Sequence, residues 1–157
     1  MERIEFTSTG PSETMALGEY VGRFSEGGDL FLLYGGLGAG KTQFVKGMAK
    51  GIGVTEWRYV VSPTFTLMNL YEGRFSLCHV DLYRLEGEEV EGLTIEEYLE
   101  TGVVAVEWAE KFTWWRGGIG VHLAITGEDT RKIVLEVEHA GRAEVWRNFS
   151  RQSRKDP

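Results

Sequence analysis

The residues best equipped for chemistry stand together at Gly35-Gly36-Leu37-Gly38-Ala39-Gly40-Lys41-Thr42, a run that fits the pattern G-x-x-x-x-G-K-[ST]. A turn can wrap a triphosphate only if its backbone N–H groups point inward, and glycines let the backbone come that close. Lys41 then sets an ammonium against the outer phosphates, and the Thr42 hydroxyl is placed to ligate Mg²⁺. The helix that follows adds the positive end of its dipole. One short loop thus holds both the phosphates and the metal of a nucleotide.

Such a loop works only between a strand and a helix. Leu30 to Tyr34 is an apolar run of strand length directly before it, and Gln43 to Lys50 reads as a helix with Phe44, Val45 and Met48 on one face. Upstream, Ile4 and Phe6 begin a short strand, and Ser12 is the expected cap of a helix to about Phe24, with Leu17, Val21 and Phe24 inward. Downstream, Val60-Val61 has strand character. Pro63 has no N–H and forces Ser62 into an extended conformation, so Ser62-Pro63-Thr64 is not helix. Leu67 to Tyr71 and Arg74 to Val80 read as two strands joined around Glu72-Gly73. Glu88 to Glu91 suggests a short acidic helix, and Thr94 opens a capping box for another through Leu99. Val103 to Val106 has the composition of a strand buried on both faces of a parallel sheet. Beyond it the period changes to two: Ile119, Val121, Leu123 and Ile125, then Ile133, Leu135 and Val137 after a turn at Gly127-Glu128-Asp129, predict an antiparallel hairpin on the sheet's edge. A last helix, near Ala143 to Ser150, is expected to bury Val145, Trp146 and Phe149.

A metal held by Thr42 needs further oxygen ligands. Asp81 ends one strand and Glu107 ends the more aliphatic one, which makes Glu107 the metal candidate and leaves Asp81 to orient or deprotonate a water attacking the γ-phosphate. The hydroxyls of Ser62 and Thr64 lie where a γ-phosphate sensor would, although an ordinary proline turn explains them equally well. His79 reads as a packed strand residue, Arg84 as either a phosphate-facing cation or a surface arginine, and Cys78 as a small buried hydrophobe. Trp108, Trp114 and Trp115 read as packing residues or a partner surface.

The chain has 157 residues, 42% of them hydrophobic, enough for one well-cored domain, and no repeat or linker divides it. Its net charge of −7 denies the whole chain the positive field that would hold a nucleic-acid backbone. The stretch after Gly141 is basic and reads as a solvated, partly frayed end, about 142–157. A single cysteine excludes an intrachain disulfide. The opening residues carry neither the basic region nor the apolar core of a signal peptide, and no apolar run reaches spanning length, so a soluble, cytoplasmic protein is expected.

Taken in order, Gly35 to Thr42, Ser62-Pro63-Thr64-Phe65-Thr66-Leu67, His79-Val80-Asp81-Leu82-Tyr83-Arg84 and Val106-Glu107-Trp108 resemble the TsaE family of small bacterial P-loop ATPases. The likeness runs from about Leu30 to Glu110. It implies a P-loop NTPase-like three-layer α/β fold, with a mainly parallel sheet between helices, and ATP and Mg²⁺ as cofactors. It also implies action with the TsaB and TsaD proteins, which install threonylcarbamoyl on adenosine 37 of tRNA, so that tRNA is met indirectly and no membrane is involved. Carried over by position, Thr42 and Glu107 are the magnesium ligands, and Asp81 with Lys41 serves hydrolysis. Gly36, Leu37, Gly38, Ala39, Gly40, Lys41, Thr42 and Gln43 hold the nucleotide, joined by Thr64 and by Trp108 beside the site. Arg131 and the segment near Ser12 approach the adenine. An acidic protein should meet a protein partner more readily than RNA, which suggests a role in resetting the TsaB–TsaD complex, with threonylcarbamoyl transfer occurring elsewhere. The rival enzyme class is a small-molecule kinase using the same loop, against which no arginine-rich lid segment is evident. A GTPase would need Asn-Lys-x-Asp and Asp-x-x-Gly stretches that the sequence lacks. A nucleotide-sensing scaffold without turnover is the remaining reading.

Overall fold

The computed structural model describes residues 1–86, 94–111 and 117–153, so the expected helix at Glu88 to Glu91 and the residues Trp114 and Trp115 lie outside it. The described elements are β1 (Glu2–Ser8), α1 (Pro11–Arg23), β2 (Leu30–Tyr34), α2 (Lys41–Ile52), β3 (Met68–Glu72), β4 (Ser76–Asp81), α3 (Glu96–Thr101), β5 (Gly102–Glu107), β6 (Ile119–Ile125), β7 (Arg131–Val137) and α4 (Ala140–Ser153). The strands form one sheet in the order β1-β7-β6-β2-β5-β4-β3.

Its middle is parallel. β2 pairs with both β5 and β6, and β5 pairs with β4, in register Leu33 with Glu107 and Asp81 with Glu107. These strands carry apolar side chains on both faces, as their continuous sequences require. Phe31, Leu33, Leu77, Val103 and Ala105 point to the side covered by α1, α2 and α4, whereas Leu30, Leu32, Cys78, Val80, Val104 and Val106 pack against Leu82, Leu85, Ile95 and the α3 residues Tyr98 and Leu99. The parallel pairing has one consequence for function: β2, β4 and β5 deliver their carboxyl ends to one edge of the sheet.

Several expectations give way here. The β6–β7 hairpin is not at the edge, since β6 pairs in parallel with central β2 and β7 is covered by β1 through an antiparallel ladder from Glu2–Val137 to Ser8–Arg131. The alternation of Ile119, Val121, Leu123 and Ile125 marks a strand, but the partner beside it, β2, is distant in sequence. Val60-Val61 is not strand; a 3₁₀ turn at Trp57–Tyr59 leads instead into a loop. α1 begins one residue before the expected cap, with Gly10 as N-cap and Pro11 at the first helical position, where a missing N–H is harmless. Its first turn is held by Thr9, whose backbone N–H and hydroxyl both donate to Glu13 Oε2. Phe24 and Val145 are exposed, while Trp146 is buried. Arg142 is not solvated: its guanidinium makes two bonds of 2.6 Å to Asp29, tying α4 to the turn before β2.

The helices α1 and α2 pack backbone to backbone. Gly18 and Gly22 on α1 face Gly47 and Gly51 on α2, and a Cβ at any of the four would stand 2.1–2.4 Å from a carbonyl oxygen of the opposite helix. Only glycine permits that approach. The seam matters because α2 begins at Lys41 and α1 begins beside the loop that precedes it.

Candidate active site

The loop from Gly35 to Gly40 leaves β2 and turns directly into α2. Gly40, the N-cap of α2, has φ 104°, and Gly35 is pressed so closely on β6 that a Cβ there would stand 2.6 Å from the Leu123 carbonyl oxygen. Both positions require glycine. The turn is closed by Ala39 N–H donating to Gly36 O at 3.1 Å and by Phe44 N–H donating to Gly40 O at 2.9 Å. Lys41 is buried, donates to the carbonyls of Gly35 and Gly36, and places its Nζ 3.7 Å from the centre of the Trp108 ring. Burial depresses its pKa, and the carboxylates of Glu110, Glu107 and Asp81 act in the opposite sense.

The two acids flank this loop as the parallel register dictates. Glu107, at the end of β5 and 2% exposed, accepts the Thr42 hydroxyl at 2.9 Å on Oε1 and 3.0 Å on Oε2. Asp81, at the end of β4 and equally buried, accepts Ser62 Oγ and, at 3.2 Å, Thr64 Oγ1 on its Oδ2, while the Tyr83 N–H donates to Oδ1 at 2.8 Å. Ser62 and Thr64 are also within 2.9 Å of each other. The proline turn therefore delivers two hydroxyls to one carboxylate.

These groups line a cavity of about 380 Å³ whose walls are Leu37 to Thr42, Ser62, Thr64, Asp81, Tyr83, Glu107 and Trp108. Trp108 holds φ 60°, uncommon for a bulky residue, and its indole contacts both the Lys41 ammonium and the Tyr83 ring, whose centroid is 4.9 Å away. A second cavity, about 190 Å³, opens on the other side of the loop among Gly10, Pro11, Thr14, Gly38 to Gly40, Gln43, Asp129 and Arg131. Arg131 also donates to Gly38 O at 3.2 Å and to Thr130 O at 2.8 Å, bracing the loop from the β6–β7 turn.

Thus Gly36 to Gln43, Thr64, Asp81, Glu107, Trp108 and Arg131 are brought together, with Gln43 and Arg131 on the second cavity. Arg84 is not among them; its guanidinium lies over the Phe65 ring at 5.0 Å. Sequence reasoning missed two neighbours. Tyr83 flanks Trp108, and His79, fully buried, hydrogen-bonds Glu107 through Nε2. The signal for His79 was its place two residues before Asp81, which puts both on one face of β4. Cys78 is buried as expected, and burial pushes its thiol up to about 12.

A glycine loop between a central strand and a helix, at the carboxyl edge of a mostly parallel sheet, gives this chain a P-loop NTPase-like α/β fold. The family model described as "Threonylcarbamoyl adenosine biosynthesis protein TsaE" matches residues 8–134. Proteins named "tRNA threonylcarbamoyladenosine biosynthesis protein TsaE" are similar to it. The one from Nostoc sp. is 49% identical over 107 residues, 64% of this chain and 65% of that protein. The one from Bacillus subtilis is 44% identical over 69% of this chain and 68% of that protein, and the one from Streptomyces coelicolor 39% identical over 83% and 91%. The crystal structure of Bacillus subtilis YdiB superposes with a TM-score of 0.76 at 31% identity, covering 97% of both chains. The chain belongs to the TsaE family.

Proposed function

We propose that this protein is the Mg²⁺-dependent ATPase of tRNA threonylcarbamoyladenosine biosynthesis, acting on the TsaB–TsaD complex rather than transferring the threonylcarbamoyl group itself. The pathway follows from the names of its relatives. The observation that carries the ATPase reading is the hydroxyl of Thr42 bonded to both oxygens of the Glu107 carboxylate, on the wall of a cavity that also receives Lys41 and Asp81.

The donor set fits magnesium. Hydroxyl and carboxylate are hard oxygen ligands, and among the described residues no three His, Cys, Asp or Glu side chains gather to hold a metal alone. A magnesium ion is typically shared between one or two protein oxygens and substrate phosphates. Thr42 and Glu107 would hold it, and bound there it would neutralise charge on the phosphate oxygens.

Each remaining group has a role its geometry suits. The N–H groups of the loop and the start of α2 bind phosphate, and Lys41 adds a positive charge whose burial strengthens it electrostatically. Asp81, acceptor-only when ionised, is suited to orient a water and take its proton, and the Ser62 and Thr64 hydroxyls keep that carboxylate in place. The Trp108 ring lies against the buried Lys41 ammonium and offers it a cation–π contact. The second cavity, beside Gly10, Pro11, Gln43 and Arg131, is where the base would lie.

The experiment that tests this is ATP binding by calorimetry with and without Mg²⁺, for the wild type and Lys41→Ala. Loss of one charge-assisted contact should weaken binding about 10- to 100-fold. Unchanged affinity in Lys41→Ala would overturn the phosphate assignment.

A further inference from the structure

The Glu107 carboxylate is buried and can only accept hydrogen bonds while ionised, so the groups that donate to it decide how it is turned. Thr42 does not decide this, because its hydroxyl lies at nearly equal distances, 2.9 and 3.0 Å, from the two oxygens. His79 does discriminate: its Nε2 touches Oε2 alone. The other ring nitrogen, Nδ1, is buried with no hydrogen-bond partner among the described groups. An orphaned buried N–H is much rarer than an unfilled acceptor, so the ring proton belongs on Nε2, where Glu107 receives it. His79 has no exposed surface and lines neither cavity, so solvent does not reach it and it borders neither space open to a nucleotide. A fully buried imidazole with half its polar atoms unsatisfied is a poor packing residue, and an apolar side chain would fill the space at lower cost.

We propose that His79 is the positioning residue for Glu107. Its Nε2–H engages Oε2, fixes the rotation of the carboxylate, and leaves Oε1 as the oxygen offered together with Thr42 to the nucleotide's magnesium. This rests on the reading of Thr42 and Glu107 as the magnesium ligands. Outer partners that orient a ligand in this way commonly contribute 10- to 100-fold to metal affinity.

The test separates the magnesium-dependent part of nucleotide binding from the rest. The affinity for ATP is measured with Mg²⁺ and with EDTA in four proteins: wild type, Glu107→Gln, His79→Leu, which keeps apolar volume without a donor, and His79→Gln, which returns an N–H donor at similar reach. His79→Leu should lose about tenfold or more of the gain that Mg²⁺ confers, with the EDTA value unchanged. His79→Gln should restore most of that gain, which a purely structural role would not do. If Glu107→Gln loses the magnesium gain and His79→Leu keeps it, or loses affinity equally in EDTA, the positioning role is wrong. If Glu107→Gln itself keeps the gain, the ligand assignment fails and the positioning role with it. Should His79→Leu not fold, the wild type still decides. Nitrogen-15 spectra of its imidazoles should show His79 as the Nε2–H tautomer, shifting when ATP is added with Mg²⁺ but not with EDTA; an Nδ1–H tautomer, or no magnesium-dependent shift, would overturn the proposal.

Discussion

Adding a single methyl group at Gly47 tests whether the glycine loop before α2 is held by the close approach of α1 and α2. A Cβ built there stands 2.1 Å from the Met15 carbonyl oxygen and 2.9 Å from the Glu19 nitrogen, both backbone atoms that cannot swing aside. An ordinary carbon–oxygen contact is about 3.3 Å, so the helices must part by roughly 1 Å in Gly47→Ala. Overpacking of this kind costs about 1–3 kcal/mol and sometimes more. Opposing it, alanine in a helix interior is favoured over glycine by about 1 kcal/mol. Because four glycines share the seam, parting it at one loosens contacts at the others, and the upper part of the range applies. We expect a net loss of about 2 kcal/mol, read as a fall in Tm of roughly 4–8 °C and a lower urea midpoint at unchanged m. Gly27→Ala is the control, since a Cβ there meets nothing within 4 Å. A Gly47→Ala protein more stable than wild type would refute the reasoning, because the helix preference would then have been the only term. The displacement should also reach Lys41 and Thr42 at the start of α2 and weaken ATP binding in parallel.

Three further outcomes are expected. Asp81→Asn should keep ATP affinity within about threefold while turnover falls about 10²- to 10⁴-fold in a single-turnover assay; equal loss of both would move Asp81 into the metal shell. Arg142→Ala should cost about 2–4 kcal/mol, because it leaves Asp29, whose side chain is 11% exposed, without its bidentate partner. The double variant with Asp29→Ala should cost clearly less than the two single losses together in urea titration. Cys78, with its thiol pushed up to about 12 by burial, should resist alkylation at pH 8 until the protein unfolds. The unfolded thiol titrates at about 8.5, so above that pH the unfolded state binds fewer protons than the native one. This group's contribution to stability therefore declines as pH rises toward 12.

What could be read from the sequence was what local backbone chemistry dictates. Gly35, Gly38 and Gly40 adopt positive φ in a loop that only such spacing permits, and Val103 to Val106 is aliphatic because both faces of β5 are covered. Pairings between distant segments were not legible. Alternation in 119–125 describes a strand, yet nothing in it says that β2 lies alongside, so the hairpin was expected at the edge. The contact between His79 and Glu107 depends on the β4–β5 register, and the four seam glycines look locally like weak helix formers. Pro11 was a legible sign that the helix begins there with Gly10 as its cap, and Ser12 was the weaker choice.

The most direct test of the central claim is ATP hydrolysis by the purified protein alone, then with the TsaB–TsaD pair and tRNA. Slow basal turnover that requires Mg²⁺ and Asp81 and rises when the pair is added is the expected result. Turnover indifferent to the pair, but stimulated by a small metabolite that becomes phosphorylated, would contradict it and favour a kinase.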